Sequence, residues 1–170
     1  MVPNPNSGAD LPLVGQAPGV DRCDECGFDP SAVTFEEAIA LVEDAPDRWA
    51  AAMPGAVSTQ AWSPVAYLWH VIDVLRIGAE RFWSFTLDPS ASLPPWDADV
   101  LAAARSYEDQ SVAVGIQCLR AAANVWAGAA LSCPPDVRAP HPELGMAGRD
   151  DFVFRNAHEV VHHLMDIGAG

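Results

Sequence analysis

The run from Ser63 to about Phe85 constrains this chain most. A serine stands where an N-cap belongs, Pro64 fills the first helical position, and Leu68, Trp69, Ile72, Leu75, Phe82 and Trp83 recur at helical spacing. Such a helix must bury its apolar face against other elements, and three further segments share its character. The first opens at Thr34 with Glu37 three residues on, the pattern of a capping box, shows Phe35, Ala38, Leu41 and Val42 on one face, and breaks or kinks at Pro46. Another starts near Asp97 and extends toward Leu131, with Gly115 and Gly128 counting against a single unbroken rod and two pieces as the alternative. The last begins at Asp150 or Asp151 and ends by Gly168, with Val153, Ala157, Val160, Leu164 and Ile167 along one side. No convincing alternating strand pattern is present, so the spacing predicts an all-α four-helix bundle. Residues 132–148 exceed the roughly 2–8 residues usual between bundle helices, and are expected to be extended, functional or both.

At 170 residues the chain fits one domain. We divide it into an N-terminal extension, 1–33, and the bundle, 34–170. Residues 1 to about 22 are rich in Pro, Gly and Asn without a period, which predicts a mobile tail. The first twenty residues lack the basic start and apolar run of a secretory signal. The longest uncharged stretch, Trp49 to Trp69, is interrupted by Pro54, Gly55 and Pro64, which is incompatible with a membrane span. A cytoplasmic protein is expected. Nine basic residues against 23 acidic ones give a net charge of -14, which repels nucleic acid and anionic membranes alike. All nine are arginines, a composition that suits a GC-rich coding genome.

The most specific local feature is His158-Glu159-Val160-Val161-His162. One helical turn apart, His158 and His162 can reach a single cation, and Phe154, Val161 and Met165 on the same stripe predict that the pair faces inward. His163 is rotated about 140° from His158 and is not expected to be a ligand. His70, with Ala66, Val74 and Ile77 one or two turns away, offers a third inward imidazole, and three imidazoles with an open fourth position form a catalytic zinc pattern. The same residues match H-E-x-x-H, in which Glu159 would be the general base of a metallopeptidase. That motif needs a further downstream ligand, whereas Met165 and Gly168 stand where the extended form has Gly and His.

WSPVAYLWHVIDVLRIGAERFW and NAHEVVHHLMDIG resemble the two metal-bearing helices of the DinB-like superfamily, over about residues 34 to 168. The segment Cys23-Asp24-Glu25-Cys26-Gly27-Phe28-Asp29 resembles the opening of an actinobacterial branch of these proteins. The resemblance implies a four-helix bundle with metal ligands His70, His158 and His162. It also implies thiol-dependent transferase or isomerase chemistry, as in mycothiol-dependent maleylpyruvate isomerase and in bacillithiol or mycothiol S-transferases. A divalent cation, zinc or nickel, held by imidazoles lowers the pKa of a ligand thiol, and the expected partners are a small electrophile and a low-molecular-weight thiol such as mycothiol. A metal-dependent hydrolase is the nearest variant, and a non-catalytic metal-binding bundle is the alternative from another class. A homodimer through an exposed helix face is compatible with either.

Around the histidines, Asp73 and Asp166 lie one turn from His70 and His162 and could orient an imidazole, although Asp73 could equally pair with Arg76. Glu159 reads as a solvated helix-surface carboxylate, and Arg149 and Arg155 as surface charges that could hold a carboxylate of a thiol cofactor. Cys23-x-x-Cys26-Gly27 has the spacing of one zinc knuckle, half of a four-ligand site; completion by Cys118, Cys133 or His141, approach to the histidines, or a redox role are the alternatives to plain reduced thiols. Trp49, Trp69 and Trp83 are expected in the core, Trp62 as a staple at the start of its helix, and Trp96 at a pocket mouth.

Overall fold

A computed structural model describes residues 21–90, 92–141 and 145–169. The expected mobile tail lies, but for Asp21 and Arg22, outside the described residues. Six helices and one hairpin follow: α1 (Phe35–Glu43), α2 (Ala45–Ala52), α3 (Pro64–Leu87), α4 (Ala98–Arg105), α5 (Val112–Ser132), β1 (Arg138–His141), β2 (Gly145–Gly148) and α6 (Arg149–Asp166). No helix among the described residues is long and apolar enough to cross a membrane.

The helix starts follow from side-chain capping. Thr34 accepts the Glu37 N–H while the Glu37 carboxylate accepts the Thr34 N–H, and Ser63, Asp97 and Ser111 cap α3, α4 and α5 by the same device. Asp151 accepts the Gly148 N–H at 2.8 Å and pairs with Arg138 at 2.7 Å, which fastens the start of α6 to the hairpin. Pro46 opens a new helix, α2, directly after α1. The third predicted helix does divide, but neither glycine divides it. Both lie within α5, and the break falls at Ser106, whose left-handed backbone (φ 50°) ends α4.

The four arms of the bundle are α1 with α2, then α3, α5 and α6. The α3 helix packs on α5 and α6, α1 closes against α6 and α5, and α2 lies on α5. Buried Trp49, Trp126, Phe82, Phe85 and Phe152 fill the centre. Trp83, expected there, is 42% exposed, because it stands one residue beyond Phe82 on the outer side of α3. Gly78 sets the spacing of three helices: a Cβ there would overlap Asn156 Oδ1 of α6 and lie 2.9 Å from the Trp126 ring of α5. Within the long connection, β1 and β2 pair antiparallel with Ala139 opposite Ala147, too short to leave a period in the sequence. The hairpin buries His141 against Phe152, with ring centroids 5.5 Å apart.

Candidate functional site

His70 sits in the second turn of α3, on its buried face, 6% exposed. Facing it from α6 are Glu159 and His163. The His70 and His163 Nε2 atoms lie 3.6 Å and 3.2 Å from Glu159 Oε2, and one ligand atom from each of the three residues falls within 4.8 Å of the others. Asp166 Oδ2, 2.8 Å from His163 Nδ1, fixes which nitrogen of that ring faces Glu159. Aromatic rings hold the imidazoles in place: Tyr67 stacks on His163, Trp96 stacks on His70, and Trp62 meets His70 edge-on at 5.1 Å. The Nδ1 atom of His70 is buried without a hydrogen-bond partner.

Electrostatics follow from this closeness. Burial opposes ionisation of Glu159, but the hydrogen bond and charge of His163, with the His70 ring close by, outweigh it and hold the carboxyl well below the usual range. Burial likewise opposes the His163 imidazolium, and Glu159 and Asp166 overcome it, raising that pKa. Two imidazoles and one carboxylate are a donor set that suits a divalent cation with an open position. His70 and Glu159 also line a cavity of about 210 Å³, together with Arg81, Arg155, Asn156 and Trp96. This is smaller than the roughly 300–1,000 Å³ of sites for drug-sized ligands, so it suits a small molecule.

His70, His158 and His162 are not gathered at one point. His158 and His162 group instead with Cys23 and Cys26, the four ligand atoms again within 4.8 Å of one another. The reason lies in the phase of α6. Its buried stripe is Val153, Ala157, Val160 and Leu164, and at about 100° per residue His158 and His162 point some 160° away from Val160, whereas His163 lies only about 60° from it. Phe154, Val161 and Met165 belong to the outer stripe and are only partly buried. Glu159, expected as a solvated surface carboxylate, and His163, not expected as a ligand, instead turn toward His70, and both could have been found by taking Val160 and Leu164 as the reference for the inward direction.

The remaining residues divide similarly. Asp166 serves His163 first and lies 3.8 Å from His162 Nε2. Asp73 turns from His70 to the guanidinium of Arg105 and the hydroxyl of Tyr107, both of which donate to its carboxylate. Burial and that carboxylate push the Tyr107 phenol well above its ordinary pKa. Arg155 lines the cavity, while Arg149 pairs with Asp150 and covers the Phe35 ring at 4.1 Å. Trp62 packs on Tyr67 and Tyr107 as well as His70, and Trp96 stands at the cavity as expected.

No family model and no curated protein matches the sequence. Among solved structures, YfiT from Bacillus subtilis, described as a probable metal-dependent hydrolase with an unusual four-helix bundle topology, superposes with a TM-score of 0.65 at 13% identity. The match covers 79% of this chain and 85% of that one, and shows that the two share a fold.

Proposed function

We propose that this protein is a divalent-metal-dependent enzyme that activates a nucleophile at His70, Glu159 and His163 against a small electrophile. The observation that carries the reading is that two members of this donor set, His70 and Glu159, line a cavity that Arg81 and Arg155 line as well. Zinc, nickel or another ion that imidazole suits would supply Lewis-acid acidification of a water or thiol. The chain's own residues do the rest. His70 and His163 present nitrogens, Asp166 holds the His163 proton on Nδ1, Glu159 contributes its carboxylate, and the stacked rings of Tyr67 and Trp96 keep the imidazoles from swinging. Arg81 and Arg155 fit an anionic group on the substrate.

Two nucleophiles suit the site. The YfiT likeness supports water, hence hydrolysis, and the DinB-like resemblance supports a low-molecular-weight thiol such as mycothiol, hence S-transfer or isomerisation in the cytoplasm. The test loads chelator-stripped, untagged protein with zinc, nickel or cobalt. Turnover is then followed on small anionic esters and amides without thiol, and on haloaromatic, epoxide and maleylpyruvate substrates with thiol. Metal-dependent turnover in one panel, abolished by His163→Ala, is expected. Metal bound at these residues without turnover in either panel would replace the enzyme by a non-catalytic metal-binding bundle.

A further inference from the structure

The segment ahead of α1 is built around a tight turn. The Cys23 N–H donates to Phe28 O and the Gly27 N–H to Cys23 O, both at 2.9 Å, with Gly27 in the left-handed region (φ 74°) that glycine adopts without strain. Phe28, 6% exposed, anchors the turn on the outer side of α6, its ring 5.6 Å from that of His158. Both thiols of the C-x-x-C spacing therefore face the His158–His162 pair.

The donors are set as ligands. His158 Nε2 is buried without a hydrogen-bond partner, an orphaned polar atom that a protein interior rarely keeps. His162 turns Nδ1 to within 3.5 Å of Cys23 Sγ, and its other nitrogen lies 3.5 Å from Glu25 Oε2 and 3.8 Å from Asp166 Oδ2, carboxylates placed to fix the tautomer. None of the four residues lines the cavity beside His70.

We infer that Cys23, Cys26, His158 and His162 form a closed zinc centre that clamps the N-terminal segment onto the outer face of α6. Two thiolates and two imidazoles complete a tetrahedral set and leave no place for substrate, so the role is structural. Thiolate sulfur selects zinc over the harder divalent ions. On binding, each S–H bond is replaced by an S–Zn bond, both protons pass to solvent, and nothing is oxidised or reduced. The inference does not rest on the catalytic reading of His70, Glu159 and His163.

The full chain, stripped of metal under reducing conditions and titrated with Co²⁺, tests it. Thiolate-to-cobalt charge-transfer absorption is expected in the wild type and in His70→Ala, and is lost in Cys26→Ser. In zinc-loaded protein Cys23 and Cys26 are shielded from a thiol reagent, and they become reactive on chelation. Absence of the thiolate band in the wild type, or equal thiol reactivity with and without zinc, would overturn the assignment, and neither readout depends on a variant folding. Wild-type protein holding one equivalent of metal and showing the thiolate band upholds this centre while refuting metal binding at His70.

Discussion

Replacing Gly78 with alanine tests the spacing on which the candidate site depends. In an ordinary helix interior the change stabilises by about 1 kcal/mol, since glycine is a poor helix former. Here the new methyl has no room. It would overlap Asn156 Oδ1 and sit 2.9 Å from the Trp126 ring, both buried and joined by a 2.8 Å hydrogen bond from Trp126 Nε1 to Asn156 Oδ1. Overpacking costs roughly 1–3 kcal/mol, and a hydrogen bond forced apart in the interior costs another 1–3 kcal/mol. Set against the propensity gain, the net destabilisation is about 1–5 kcal/mol. A central value near 3 kcal/mol corresponds to a fall of roughly 6–12 °C in Tm for a chain of this size. Gly128 provides the control, for a Cβ there meets nothing within 4 Å, and Gly128→Ala should be neutral or stabilising. Thermal unfolding followed by circular dichroism compares the two. If Gly78→Ala matches or exceeds the wild type, α3 and α6 do not approach as described, and the spacing of His70 from Glu159 and His163 loses its support.

Three other outcomes are expected. Tyr107→Phe removes the hydroxyl that donates to the buried Asp73 carboxylate and should lower stability by about 1.5–3 kcal/mol in urea unfolding, with no change counting against the network. Asp166→Asn should weaken metal binding at His70, Glu159 and His163 by about 10–100-fold, as measured by competition with a chelating dye, and unchanged affinity would remove Asp166 from its orienting role. In metal-free protein, the raised His163 pKa contributes stability that is complete below about pH 6.5 and fades as pH rises through the folded-state value. The lowered Glu159 pKa contributes above about pH 4.3 and fades as pH falls through its folded-state value. Between these limits the pair stabilises most, so the Tm advantage of wild type over His163→Gln should shrink as pH rises from neutrality, while metal affinity rises because the cation competes with that proton. A Tm difference that grows with pH would show the sign to be reversed.

The helix starts were legible because caps are local: Thr34 with Glu37, and Ser63 with Pro64, declare themselves within four residues. The break at Ser106 was not, since a left-handed serine carries no compositional mark and the glycines that looked like breaks were tolerated inside α5. At the site, His70 and the α6 histidines stood out as residue types, but their grouping depended on a rotation of α6 that two competing apolar stripes left ambiguous. Only tertiary packing chose Val160 and Leu164 as the inward side. The partners of Cys23 and Cys26 lie far along the chain, a distance that spacing rules for a single zinc knuckle do not span.

In α6, consecutive residues serve opposite sides: His158 and His162 face outward toward the cysteines, Glu159 and His163 inward toward His70, and the rings of His162 and His163 are 5.5 Å apart. One rigid rod thus carries donors to both groups. Any small turn of the rod that improves the geometry on one side alters it on the other. Whatever factor a ligand on the outer side imposes on affinity inside, a ligand inside must impose on affinity outside, by thermodynamic reciprocity. The helix is in that sense a balance beam, and a measurement made on either arm reports on both.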